Sequence, residues 1–235
     1  MRKIKVIQIS VFVVLLMIVL FLAISTTRFL LGGITLGDFR GIVFVLAGIV
    51  FVYAYALITY RLFLHVFPYG EGEIPVNSRE EFSYHVHLLF FLILFYPVTR
   101  SGFVPVPLMR MFYLFLGARL GDNSYSSGII MDPMFTEVGD NTLIGQYALI
   151  VSHVVENEKL AHYTVRIGNN VTIGAHSVVM AGTTIGDGAL VATGAVVKKG
   201  TRIGAGEVWG GVPAKLVRAA DAAEGAQGTA DADIG

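Results

Sequence analysis

Three hydrophobic patterns follow one another along the chain. Residues 6–24, "VIQISVFVVLLMIVLFLAI", are interrupted only by Gln8 and Ser10, and residues 41–60, "GIVFVLAGIVFVYAYALITY", carry no charge. At ~1.5 Å per residue each run makes a helix of about 30 Å, enough to cross the hydrocarbon core of a bilayer. A cleaved signal peptide is the competing reading of the first run, since Arg2, Lys3 and Lys5 resemble a basic leader. The run is too long for that, its small-residue cleavage pattern is poor, and a second span follows. Two retained spans are therefore expected. Arg2, Lys3, Lys5 and Arg61 flank them, while the connecting loop carries Arg28 and Arg40 with Asp38. This bias favours both ends of the hairpin in the cytoplasm.

A second pattern covers residues 65–117. "SREE" at 78–81 reads as a capping box, with Ser78 as N-cap and Glu81 reaching back. The helix it opens is expected to stop at Tyr96, because Pro97 disfavours helix at its predecessor. About 17 apolar residues, 82–98, include two histidines. A second short helix is expected over roughly 107–117, edged by Arg110 and Arg119. With Pro97, Pro105 and Pro107 as punctuation, the region reads as an interfacial or re-entrant platform. A third crossing is the alternative.

The third pattern has a period of six. Ile167, Ile173, Val179, Ile185, Val191, Val197 and Ile203 recur without drift, and Val138, Ile144 and Ile150 keep the same spacing earlier. Neither an amphipathic helix nor a hairpin array has that period. It fits short strands joined by tight turns, three hexapeptides to a coil, in a parallel β-helix. Each inward β-branched side chain contributes about 1.5–3 kcal/mol of burial before entropy is counted. "GDN", "GNN" and "GDG" supply the corners. The period fails once, within "LIVSHVVENEKLAHYTVRIG" (149–168), where His153 and His162 appear.

Residues 117–218 resemble the hexapeptide-repeat acyltransferases. The resemblance rests on "LGARLGDN", "VGDNTLIG", "VRIGNNVTIGAHSVVMAGTTIGDGALVATGAVV" and the closing "VWGGVPAKLVR", which is similar to that family's Gly-x-Pro-Ala-Lys ending. Membrane helices ahead of the repeat look like its integral-membrane branch, including the terminal domain of polylysine-synthetase-like proteins. The fold this implies is mainly β: a left-handed parallel β-helix preceded by two transmembrane helices and short interfacial helices. Its expected divisions are two spans (1–64), platform (65–117), β-helix (118–208), and a closing segment with a disordered tail (209–235).

Composition narrows the chemistry. Seventeen basic residues balance seventeen acidic ones, which argues against an electrostatic grip on nucleic acid. The absence of cysteine removes disulfides, thiolate zinc sites and a cysteine nucleophile. A histidine with an unperturbed pKa of about 6.5 suits proton abstraction from a hydroxyl or amine. In the resembling acetyltransferases a histidine at the start of the protruding loop deprotonates the acceptor. "IVSH" makes that residue His153. Glu156 or Glu158 are candidates to orient it, with Asp132 about one coil earlier. His162 is a weaker candidate, His176 reads as a corner residue, and His85 and His87 as interfacial residues or the lining of an acceptor site.

For the donor, the resemblance implies acetyl-CoA or another acyl-CoA held along a groove between subunits. Gly182, Ala192 and Gly194 leave that groove open, Lys198, Lys199, Lys215 and Arg218 meet phosphates, and Trp209 covers the adenine or caps the solenoid. Lys198 and Lys199 as a plain solvated turn is the competing reading. A zinc site like that of trimeric β-helix carbonic anhydrases is not expected, because the spacing of His153, His162 and His176 does not match theirs; no metal is invoked.

The expectation is a homotrimeric, multi-pass protein of the cell inner (cytoplasmic) membrane with its β-helix in the cytoplasm. It would transfer an acyl group from CoA to a hydroxyl or amine of a lipid-linked sugar or amphiphilic lipid. A long-chain acyl thioester donor and a non-catalytic trimeric scaffold are the alternatives.

Overall fold

The computed structural model describes residues 2–35 and 37–220. The two apolar runs form a helical hairpin, α1 (Val6–Leu31) and α2 (Arg40–Val66), each longer than its uncharged stretch. Thr26 Oγ1 and Tyr55 Oη, 2.7 Å apart, join them. Their outer surfaces are apolar and exposed, at Val14, Phe21, Ile49 and Val50 among others.

Helix α3 (Arg79–Phe90) begins as the capping pattern predicts, with Ser78 Oγ accepting from the Glu81 N–H at 3.0 Å. Glu81 reaches one residue further than expected, its Oε2 accepting from Asn77 N–H at 2.6 Å. The helix does not stop at Tyr96. A π segment over Phe91–Phe95 carries it into α4 (Tyr96–Ser101). There the Tyr96 N–H bonds the Phe91 carbonyl, five residues back. Pro97, which has no N–H to donate, enters in the first turn of α4 instead of breaking an α-helical ladder. After Gly102, in the left-handed region, α5 (Val106–Leu116) follows close to its expected limits.

From Arg119 onward the chain winds into a solenoid with three parallel faces. Residues 165–167, 184–185 and 202–203 stack on one face, 143–144, 172–173 and 190–191 on the second, and 149–150, 178–179 and 196–197 on the third. The register sets inward residues directly above one another: Ile167 on Ile185 on Ile203, Ile144 on Ile173 on Val191, Ile150 on Val179 on Val197. All of these are at most 4% exposed, so the six-residue period is the core itself. Left-handed corners fall on Asn170 (φ 54°) and Gly188 (φ 68°). A Cβ on Gly174 would sit 2.4 Å from the Thr193 backbone nitrogen, so the coils leave no room for a side chain there. The strand Lys215–Arg218 turns back antiparallel on Val208–Gly210 and closes the stack.

The fold is not mainly β. Of the described residues 43% are helical, because each hexapeptide contributes a strand of two or three residues and turn fills the rest. The expected disorder of the tail falls mostly on residues 221–235, outside those described.

The interruption is a β-hairpin, His153–Glu156 paired with Lys159–His162 around Asn157 (φ 55°). The platform supplies a third strand, as Gly72–Glu73 pairs with Ala161 and His162. The continuous helix 79–101 meets the hairpin near its start and the solenoid near its end. Near its start Tyr84 packs edge-on to His162, and near its end Thr99 and Arg100 share a cavity of about 140 Å³ with residues 126–129.

Candidate active site

One corner of the solenoid collects the chemistry. In the first coil that corner is residues 131–136, "MDPMFT", two residues longer by register than the equivalent corners 180–183 and 198–201. Pro133 opens a 3-10 turn with Asp132 before it, which directs the buried carboxylate towards the next coil. There the hairpin leaves the stack. Ser152, fully buried, donates through Oγ to the Phe135 carbonyl at 2.8 Å and pins the chain just ahead of His153.

Asp132 Oδ2 accepts from three N–H groups: His153 Nδ1 at 2.7 Å, His153 N at 3.2 Å and Ser152 N at 3.3 Å. With the imidazole donating through Nδ1, its Nε2 carries the free lone pair. Burial by itself would raise the Asp132 pKa. The hydrogen bond from His153 and the charges of His153, His162 and His87 outweigh it and hold the carboxyl at about 2. For His153 burial opposes the imidazolium, but the hydrogen bond and charge of Asp132 prevail, and its pKa is raised.

His162 stands opposite His153 across the hairpin, with ring centroids 6.4 Å apart. Its Nε2 is 3.8 Å from Asp132 Oδ1, and neither ring nitrogen has a hydrogen-bond partner. The ring stacks on Phe135 at 4.9 Å and meets Tyr69 and Tyr84 edge-on. Burial, assisted by His153 and opposed by Asp132, pushes its pKa down to about 4. The two histidines are thus driven apart: one is a strengthened base, the other a neutral buried ring.

Glu156 does not orient His153. Side chains alternate along a strand, so Glu156 faces the other side of the hairpin and pairs with Lys199. Asp132 holds the imidazole instead. Glu158 lies at the hairpin turn, its carbonyl bonded to Arg2. His87 lies in the aromatic cluster behind the dyad, its Nδ1 2.8 Å from Tyr60 Oη and its ring against Tyr69 and Tyr84. His85 is buried with Nδ1 unpaired. His176 is a corner residue (φ 57°) stacked on Tyr147. Sequence reasoning missed Tyr60, Tyr69 and Tyr84, which pack behind the dyad from three separate segments. Only the density of aromatics and histidines over 60–87 hinted at them.

The residues expected to meet the donor divide between two places. Gly182 lies beneath Tyr163, and Lys199, with Tyr163 and Lys159, lines a pocket of about 310 Å³ on the hairpin face opposite His153; Lys198 is exposed at the same corner. Ala192 and Gly194 lie at another corner, where Ala192 N–H bonds the Trp209 carbonyl at 2.8 Å. Trp209 Nε1 donates to Glu207, and Lys215 and Arg218 lie exposed on the closing strand. Among the described residues no three His, Asp or Glu side chains are arranged to hold a metal ion. His153 Nδ1 is committed to Asp132 and His162 is enclosed by aromatic rings, so the imidazoles do not converge.

The site thus lies where a hairpin carrying a carboxylate–histidine dyad breaks a three-faced solenoid built of six-residue units. Residues 164–199 match the family described as bacterial transferase hexapeptide (six repeats), and that segment is hexapeptide repeat of this type. Gamma carbonic anhydrases 2 and 1, mitochondrial, of Arabidopsis thaliana are each 36% identical over 83 residues, 35% of this chain and 26% of theirs. The chain thus aligns with about a quarter of the length of these relatives. A hexapeptide-repeat-containing acetyltransferase from Vibrio cholerae is 23% identical, with a TM-score of 0.42 over 45% of this chain and 64% of that one. A galactoside acetyltransferase in complex with coenzyme A is 19% identical, with a TM-score of 0.40 over 71% and 81%.

Proposed function

We propose that this protein is a membrane-bound, CoA-dependent acyltransferase whose general base is His153. The observation that carries the reading is the seat of the Asp132–His153 dyad: beside it His162 packs on Tyr69 and on Tyr84 of α3, and behind these His87 of α3 bonds Tyr60 of α2. An acceptor arriving along the apolar helices would meet the base where they end. In the reaction, Nε2 of His153 takes the proton of an acceptor hydroxyl or amine. The freed oxygen or nitrogen attacks the thioester carbonyl, and backbone N–H groups stabilise the tetrahedral oxyanion. The C–S bond then breaks, the imidazolium returns the proton to the thiolate, and acylated acceptor and CoA leave. Asp132 keeps the imidazole in the required tautomer and stabilises its charged form.

The donor residues at two corners favour a homotrimer with a left-handed β-helix, in which one subunit's hairpin faces its neighbour's late coils. The acceptor is a lipid-linked sugar or amphiphilic lipid of the cytoplasmic membrane. Purified protein in detergent, given acetyl-CoA and extracted membrane lipid, is expected to release free thiol and to add one acyl mass to a lipid. Release only with long-chain acyl-CoA would move the reading to a long-chain donor. Failure to bind any acyl-CoA would leave the scaffold alternative standing.

The reading has two crossings, α1 and α2. Proximity of the helix 79–101 to the hairpin near its start and to the solenoid near its end supports keeping that helix on the solenoid's side. In intact cells an impermeant thiol reagent is expected to label Ile34→Cys, in the connecting loop, and to spare Thr172→Cys, on an exposed solenoid face. Labelling of Thr172→Cys without lysis would put the solenoid outside, away from CoA.

A further inference from the structure

The basic residues ahead of α1 do more than bias topology. The Arg2 side chain, 12% exposed, bridges two elements far away in sequence. Its Nη1 lies 3.2 Å from Glu81 Oε1, on a carboxylate only 5% exposed, in the first turn of α3. Its Nε donates to the carbonyl of Glu158, at the turn of the hairpin, at 2.9 Å. Beside it Lys5 Nζ reaches Asn77 Oδ1 at 2.5 Å, and the Asn77 N–H is itself held by the second oxygen of Glu81. One guanidinium therefore ties the start of the first apolar helix, the cap of α3 and the turn of the hairpin whose first residue is His153.

The rest of the hairpin is anchored by its base on Asp132 and by main-chain bonds to the platform strand, including Ile74 N–H to the Leu160 carbonyl at 2.8 Å. The Glu156–Lys199 pair on its other face is solvent-exposed and contributes little. Arg2 thus supplies a side-chain hold on the turn that is backed by the little-exposed Glu81 carboxylate, and a guanidinium suits it because its fork serves a carboxylate and a carbonyl together.

We propose that Arg2 is a positioning residue: it holds the hairpin so that His153 stays on Asp132, and it does so only when α1 is seated with its amino end beside the solenoid. Seating of the first membrane helix and ordering of the base are then one event. This rests on the acyltransferase reading for its consequence in turnover, but the positioning itself is measured without substrate.

The experiment compares the full-length protein with Arg2→Gln and Arg2→Lys, by amide hydrogen exchange and by acyl-transfer kinetics. Arg2→Gln is expected to speed exchange of the hairpin amides 154–161 about tenfold, the effect of losing hydrogen bonds to a charged group, while the solenoid strands 172–203 exchange as before. In the same variant kcat is expected to fall about tenfold with KM for acyl-CoA unchanged. Arg2→Lys restores a charge to Glu81, and with it thermal stability, but one ammonium does not span both partners, so the hairpin still exchanges faster than in the parent. Should Arg2→Gln fail to fold, Arg2→Lys alone decides. Hairpin exchange equal to the parent's, or acceleration spread evenly over the solenoid, would overturn the proposal. Faster hairpin exchange in a protein without transferase activity would uphold the positioning and overturn only the acyltransferase reading.

Discussion

Replacing His153 with alanine is expected to lower turnover by about 10²–10⁴, the usual contribution of a positioned general base. Subunit mass and acyl-CoA affinity should stay at parent values. The reason lies in where the side chain sits. His153 belongs to the hairpin and not to the apolar stack, which passes from Ile150 directly to Val179 in register. Its loss opens no gap between coils. His162→Phe, which keeps the ring volume among Phe135, Tyr69 and Tyr84, is expected to cost far less, because the His162 ring is enclosed by those aromatics and burial makes it a weak base. A steady-state assay on the two variants, with mass in detergent as the control for assembly, decides the point. Full activity in His153→Ala, or activity lost only with assembly, would assign the hairpin to packing.

Asp132→Asn is expected to be nearly as damaging and to leave a distinctive pH signature. The carboxylate accepts from Nδ1 and so keeps Nε2 unprotonated and available; an amide can present its own N–H there and turn the imidazole to the wrong tautomer. Turnover should fall by about 10²–10⁴. The sign of the accompanying shift follows from the causes. Asp132 raises the His153 pKa against burial, so removing its charge leaves burial unopposed and the pKa falls. Since the base acts in its neutral form, the rise of kcat/KM with pH moves to lower pH in the variant while its plateau drops. A rise left at the parent's pH would mean that another group sets the profile.

The acidic arm of stability carries the same dyad. Asp132, held at about 2 against an unfolded value near 3.9, contributes stability at neutral pH that is lost as pH falls through those values. His162, pushed down to about 4, adds to that loss below about 6.5, because unfolding lets the ring take a proton it refuses when buried.

By itself, the sequence determined the parts that repeat or run apolar over many residues. The period of six specified the solenoid, since an inward residue in each short strand is enough to define three faces and their register. Two uncharged runs specified the helical hairpin, and the single break in the period located His153. The end of α3 was misread because Pro97 is a breaker only in an α-helical ladder, and the π turn that admits it has Phe91 and Phe95 buried, Phe95 against Tyr60 of α2 and Phe112 of α5. Tertiary structure alone decided which polar groups meet. Asp132 and His153 are 21 positions apart and are joined because an enlarged corner in one coil lies under the exit of the next. Glu156, three residues from His153, is excluded by strand alternation and claimed by Lys199. Tyr60, Tyr69, Tyr84 and His87 reach the dyad from helices and a loop whose packing no local period encodes. A periodic core is written in spacing along the chain, whereas a site is written in distances across it.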